Sequence, residues 1–157
     1  MTGRLAGQRI VVTGGGRGIG AEMAKAMAAE GGRLVIADLD LGIARATAAA
    51  IAETGGEAMP IQVDVRERRS VRAMITATVE AYGGLDALFN NAGIAQVRPF
   101  LSISEEDWRA VMDVNGLGVL IGMQEAARQM IAQGTGGSIV NTASIAGKQG
   151  YEPLAHY

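Results

Sequence analysis

The chain has 157 residues, 48% hydrophobic and 19% charged, with a formal net charge of −2. This composition is typical of a globular protein with a buried core, and the small net charge gives no electrostatic reason to expect nucleic acid or a membrane surface as a partner. There is no cysteine and a single histidine, which excludes disulfides, thiolate chemistry and a histidine-based metal cluster. The sequence contains no apolar run of about 18 residues and no signal-peptide pattern, so we expect a cytoplasmic protein without a bound metal.

Short apolar runs alternate with helical patterns along the whole chain. Strands are predicted at 9–13, 33–38, 58–63, 85–90 and 138–143. Helices are predicted near 18–31, 40–54, 67–82 and 104–133. The last begins with Ser104 followed by three acidic residues, a pattern typical of a helix N-terminus. Because strands joined by helices require crossover connections, the pattern predicts one α/β domain over residues 1–157 with a doubly wound parallel sheet.

A glycine-rich segment, Thr13-Gly14-Gly15-Gly16-Arg17-Gly18-Ile19-Gly20, connects the first strand to the first helix. Backbone N–H groups at such a turn carry partial positive charge, and missing Cβ atoms let a diphosphate approach closely. The alternative is a tight strand–helix connection without a ligand. The candidate dinucleotide-binding residues in this segment are Gly14, Gly16, Arg17, Gly18, Ile19 and Gly20.

Asp38 ends the second strand, about 20 residues after the glycines. A carboxylate there accepts hydrogen bonds from both ribose hydroxyls of NAD and repels the additional phosphate of NADP. Two observations oppose this interpretation: Asp38 could instead cap the second helix, and the Arg17 cation could accept a 2′-phosphate. We favour NAD because the carboxylate would lie at the ribose itself.

The spacing TGxxxGxG at residues 13–20 resembles the short-chain dehydrogenase/reductase family. Further segments match that family in order over nearly the whole chain: Asp64-Val65, Asn90-Asn91-Ala92-Gly93, Asn115, Ser144 and Tyr157. The resemblance implies a Rossmann-type sheet with strand order 3-2-1-4-5 and NAD as the cofactor.

The resemblance also implies roles for these residues. Asp64 and Val65 would contact the adenine, and Asn91, Ala92 and Gly93 would stabilise the sheet and line the nicotinamide side. Asn115 would hold a helix irregularity and a water, Ser144 would bind the substrate oxygen, and Tyr157 would be the acid/base. Four of these residues also have a structural interpretation when taken alone. Asn91 could satisfy the backbone of a turn, and Asn115 could mark a local helix distortion. Ser144 could be an ordinary loop residue, and Tyr157 a packed aromatic ring.

The implied function is NAD-dependent interconversion of a secondary alcohol and a ketone, with a small polyol or hydroxyketone as the favoured substrate. The alternative is a non-catalytic NAD(H)-binding module. Relatives are commonly tetramers, so we expect a homo-oligomer. The family places a lysine four residues after the tyrosine, which here falls beyond Tyr157. We therefore expect residues 1–157 to be a segment of a longer polypeptide and to be inactive alone.

Overall fold

The computed structural model describes residues 3–157, which build one five-stranded parallel sheet. Its order is β3-β2-β1-β4-β5, which confirms the predicted doubly wound topology. The strands are β1 Arg9–Thr13, β2 Arg33–Asp38, β3 Glu57–Gln62, β4 Ala87–Asn90 and β5 Ser138–Asn141. The chain crosses from β3 to β4 past β2 and β1, so the order reverses beside β1, where ligands bind in open α/β sheets.

Five α-helices follow the strands in the predicted alternation. They are α1 Gly18–Ala29, α2 Leu41–Glu53, α3 Arg68–Tyr82, α4 Glu105–Met112 and α5 Val119–Gln133. Short 3-10 turns lie at Phe100–Ser102, Ile145–Gly147 and Glu152–Leu154. No helix within residues 3–157 is both long enough and apolar enough to cross a membrane.

The sheet is covered on both faces, which explains why its inner strands are continuous apolar runs. On β1, Val11 belongs to a core cluster with side chains of α3 and α5, whereas Ile10 and Val12 belong to a second cluster with α1 and α2. Small residues of α2, such as Ala44 and Ala48, are buried in this second cluster. Successive side chains of β1 point to opposite faces of the sheet, so this one strand contributes to both core clusters.

The helix predicted at 104–133 is interrupted. A π-helical segment, Asp113–Gly118, lies between α4 and α5 and contains Asn115. The predicted start is confirmed, because Ser104 and Asp107 form a reciprocal capping box. The apolar periodicity did not reveal this π-turn, because one additional residue in a turn leaves the apolar spacing on either side almost unchanged. The helix irregularity that the family resemblance implied at Asn115 does lie in this segment.

The predicted fourth strand begins two residues too early. Leu85 exchanges hydrogen bonds with the side-chain amide of Gln133 on α5, at 3.1 Å for its N–H and 2.7 Å for its carbonyl. The backbone of this buried leucine is therefore satisfied by a side chain and not by a neighbouring strand.

Candidate functional site

A cleft of about 280 Å³ opens at the carboxyl ends of the central strands. It contains much of the predicted cofactor site, together with apolar neighbours. Its lining residues are Gly14, Arg17, Asp38, Leu39, Val63, Asp64, Val65, Arg66, Ala92, Gly93, Ile94 and Val114. An adjoining depression shares Arg17, Asp38 and Leu39 and extends to Gln62.

The glycine-rich segment leads directly into the N-terminus of α1. Arg17 is the N-cap residue but makes no side-chain capping bond, and the first turn contains no acid. The first N–H groups of α1 are thus left for an external anion. Gly18 adopts φ +55, and a Cβ added there would meet no atom within 4 Å. Ile19 beside it is 70% exposed.

Packing requires glycine at two other positions of the segment. A Cβ on Gly20 would lie 2.2 Å from the carbonyl oxygen of Gly14, and one on Gly16 would lie 2.9 Å from Oδ2 of Asp38. The segment therefore folds tightly against itself and against the end of β2.

Asp38 joins the glycine-rich segment to the start of α2. Its Oδ2 accepts the N–H of Gly16 at 3.0 Å, and its Oδ1 accepts the N–H of Asp40 at 3.2 Å. The N-cap of α2 is Asp40, whose carboxylate accepts the N–H groups of Gly42 and Ile43. The alternative interpretation of Asp38 as the helix cap is therefore wrong.

Asp64 follows β3 and lies against Arg66 on the cleft wall. Its Oδ2 accepts Nη2 of Arg66 at 2.6 Å, and its own backbone N–H donates to Oγ of Ser70 at 3.0 Å. Hydrogen bonds from the Arg66 side chain lower the pKa of Asp64, because they favour its charged form.

Asn91 does not line the cleft. Its Nδ2 donates to the carbonyl oxygens of Thr13 and Gly14, at 3.1 and 3.3 Å. The Oγ1 of Thr13 in turn accepts the N–H groups of Asn91 and Ala92, both at 3.1 Å. These bonds fasten the end of β4 to the glycine-rich segment and present Ala92 and Gly93 to the cleft.

Asn115 connects the π-helical segment to the chain that follows β4. Its Nδ2 donates to the carbonyl of Ile94 at 2.8 Å, and its Oδ1 accepts the N–H of the same residue at 2.9 Å. Since Ile94 lines the cleft, Asn115 acts on the cleft wall through this backbone.

Ser144 and Tyr157 lie in the segment after β5. The Oγ of Ser144 accepts the N–H of Ala146 at 3.2 Å, and this side chain is exposed. Tyr157 is 41% exposed, and its backbone N–H donates to Leu154 at 3.0 Å. Across residues 3–157, no hydrogen bond joins the side chains of Asn115, Ser144 and Tyr157 to one another.

Two polar residues of this region, Thr13 and Arg66, were not predicted from the sequence as site residues. Thr13 orders the end of β4, and its position at the start of the glycine-rich segment was the available signal. Arg66 lies on the cleft wall, and an arginine two residues after a strand-terminal aspartate was the signal there.

Comparison with known proteins agrees with this geometry. A family model described as short chain dehydrogenase matches residues 8–157. The chain is 41% identical over 154 residues to 2,5-dichloro-2,5-cyclohexadiene-1,4-diol dehydrogenase of Sphingobium indicum, covering 98% of the chain and 60% of that relative. It is 41% identical over 91 residues to L-2,3-butanediol dehydrogenase of Corynebacterium glutamicum, covering 58% of the chain and 35% of that relative.

A solved structure shows the same architecture. The crystal structure of a short-chain type dehydrogenase/reductase from Mycobacterium marinum superposes with a TM-score of 0.94 at 36% identity. The match covers 98% of this chain and 63% of that one. The chain thus spans less than two thirds of the length of each of these proteins.

Proposed function

The chain belongs to the short-chain dehydrogenase family, and we propose on that premise that it binds NAD(H) for the interconversion of a secondary alcohol and a ketone. The observation that carries the proposal is the cleft that Asp38 lines together with Arg17, the N-cap residue of α1, which makes no side-chain capping bond. An anion site beside a ribose-binding acid is what a dinucleotide requires.

The residues of the cleft fit NAD at the adenosine end. The two oxygens of Asp38 each accept one backbone N–H, and an ionised carboxylate has about four acceptor sites, so two ribose hydroxyls can still bind. A 2′-phosphate would meet this negative charge at close range. Arg17 favours the opposite preference, but its side chain is exposed, whereas Asp38 is fixed by two backbone groups.

At the other end, Ala92 and Gly93 line the cleft and would face the nicotinamide ring. That ring, when bound, exchanges hydride with the carbon that carries the hydroxyl. Asn115 would hold the wall at Ile94. The Ser144 hydroxyl, whose oxygen accepts from Ala146, retains its hydrogen to donate to the substrate oxygen. Tyr157 would take or return the hydroxyl proton.

We propose a diol or a hydroxyketone as the substrate class. Two relatives at 41% identity are named dehydrogenases of diols, one cyclic and one linear. Ile94, Ala95 and Gln96 after β4, and the segment 148–151 after Ser144, are the candidate substrate walls. Lys148 and Gln149 in that segment are exposed, so they could equally be solvated loop residues.

A binding measurement followed by a turnover assay tests this function. Isothermal titration calorimetry should detect NAD binding with weaker binding of NADP. In a polypeptide extended beyond residue 157, the absorbance of reduced nicotinamide should then rise with linear and cyclic diols. Absence of NAD binding would refute the proposal.

The second candidate is the non-catalytic NAD(H)-binding module. The Asn115 and Ser144 side chains bond to the backbone of Ile94 and Ala146, and this structural use of both residues favours it. NAD binding without turnover across the whole panel of alcohols, by the extended polypeptide as well as by this chain, would support it. The prediction that residues 1–157 alone are inactive makes the assay informative on both this chain and a polypeptide extended beyond it.

We further propose that the chain forms a homo-oligomer, as the family resemblance implies. Exposed apolar side chains lie along α4, the π-helical segment and α5: Trp108 at 50%, Met112 at 40%, Leu117 at 44% and Leu120 at 44%. Light scattering should give a mass above that of one chain. A single dinucleotide-binding domain and a cytoplasmic location stay predictions.

A further inference from the structure

Arg66 forms a fork-shaped contact with Asp64 on the wall of the cleft. Its Nε donates to Oδ1 at 2.9 Å, its Nη2 donates to Oδ2 at 2.6 Å, and its backbone N–H donates to Oδ1 at 3.0 Å. The side chain of Asp64 is 25% exposed and that of Arg66 is 46% exposed. Both residues line the same cleft.

This contact determines what Asp64 can still bind. A carboxylate offers about four acceptor sites, and three N–H groups of Arg66 occupy most of them. About one site remains for a ligand donor. The planar guanidinium also fixes the plane of the carboxylate and keeps it charged.

The surroundings of Asp64 suit a flat ring. The apolar residues Leu39, Val63, Val65 and Val114 line the same cleft as Asp64. Apolar walls with one oriented acceptor favour a heteroaromatic base that carries an N–H donor at its edge. They disfavour a base that presents a carbonyl oxygen there, since two acceptors would face each other.

We infer that Arg66 is a positioning residue that makes the cleft selective for a 6-aminopurine over a 6-oxopurine coenzyme. It does so by orienting the carboxylate of Asp64. The inference rests on the proposed function, in which Asp64 and Val65 contact the adenine.

Arg66 can be replaced with little risk to the fold. Exposed ion pairs contribute little to stability, and the side chain of Arg66 is about half exposed. An Arg66→Met variant keeps an unbranched side chain and removes every side-chain donor. Arg66→Lys retains the positive charge without the fork. Arg45→Met, at an exposed position of α2, is the matched control for loss of one cation.

Calorimetry with NAD and with nicotinamide hypoxanthine dinucleotide tests the inference without any need for turnover. One hydrogen bond to a charged group corresponds to a difference in affinity of about 10- to 100-fold. We therefore expect the unmodified chain and Arg45→Met to prefer NAD over the hypoxanthine dinucleotide by this factor. In Arg66→Met the preference should fall to about threefold or less, with an intermediate value for Arg66→Lys. If only the positive charge of Arg66 mattered, its loss would weaken the binding of both dinucleotides equally and leave the ratio of their affinities unchanged.

The outcomes separate the inference from its premise. An Arg66→Met chain that keeps the original base preference, or an unmodified chain without any preference, overturns the role of Arg66 while NAD binding persists. If the unmodified chain binds neither dinucleotide, the proposed function fails and the inference fails with it. Melting temperatures of all variants verify that each is folded.

Discussion

Replacement of Asp38 by alanine should reverse the coenzyme preference. The carboxylate lies at the end of β2, where Gly16 and Asp40 donate their N–H groups to it at 3.0 and 3.2 Å. These bonds hold the negative charge at the cleft that Arg17 also lines. Alanine removes the acceptor that we propose for the ribose hydroxyls. It also leaves the positive charge of Arg17 without the negative charge of the Asp38 carboxylate in the same cleft.

The expected magnitude follows from the charges involved. Two hydrogen bonds to a charged acceptor amount to about 3 kcal/mol at the lower end of the usual range, so NAD should bind about 150-fold more weakly. Unit charges about 4 Å apart repel by about 1 kcal/mol in water and about 4 kcal/mol near a protein surface. Relief of about 2 kcal/mol should strengthen NADP binding about 30-fold. The ratio of the two affinities should then change about 5,000-fold.

Calorimetric titration of NAD and NADP at constant ionic strength measures this ratio, because salt screens the repulsion. Asp40→Ala is the control. It removes the carboxylate that caps α2 and should lower stability by about 1 kcal/mol. Because Asp40 also lines the adjoining depression, its loss should change the coenzyme preference far less than loss of Asp38. An unchanged ratio in Asp38→Ala, or an equal change in Asp40→Ala, would refute the role of Asp38.

Three further predictions concern catalysis and stability. Tyr157→Phe should abolish turnover in an active polypeptide while calorimetry shows unchanged NAD affinity; substantial remaining activity would contradict its role as acid/base. Glu125→Gln should lower stability by about 2 kcal/mol and the melting temperature by about 4–8 °C, because it leaves Arg68 and Arg72 without their buried carboxylate. Burial raises the pKa of Glu125, but the hydrogen bonds from these arginines outweigh burial and lower the pKa below its ordinary value. The difference in unfolding free energy between variant and parent should therefore be complete above about pH 4.3 and shrink as the pH falls. A difference that does not depend on pH would exclude the ion pairs as its cause. Gly122→Ala should destabilise the chain by about 1–3 kcal/mol in chemical denaturation despite the better helix propensity of alanine, since its Cβ would lie 2.2 Å from Oδ1 of Asn90; a more stable variant would show that this contact relaxes freely.

The sequence by itself determined the order and type of the elements. Strands buried on both faces are apolar throughout, so the runs at β1 and β2 were found with their observed bounds. Glycine spacing and the position of Asp38 likewise depend on neighbours along the chain, and the cleft contains Gly14, Arg17 and Asp38 together. Such features are local, and local features are visible in a sequence.

Tertiary structure decided which of two similar residues performs which task. Asp38 and Asp40 are two positions apart and chemically identical, yet one bonds to the glycine-rich segment and the other caps α2. Only the packing of β2 against that segment separates them.

The same holds for charges that the fold buries. Glu125 reads as an ordinary acid on a helix surface, but its side chain is 4% exposed and bonds to Arg68 and Arg72, more than 50 residues earlier. The π-helical segment Asp113–Gly118 also contains such a contact, since Asn115 bonds to the backbone of Ile94. Residues so far apart in sequence do not produce a recognisable sequence pattern. Their interaction becomes strong only when folding brings them together and excludes water from both.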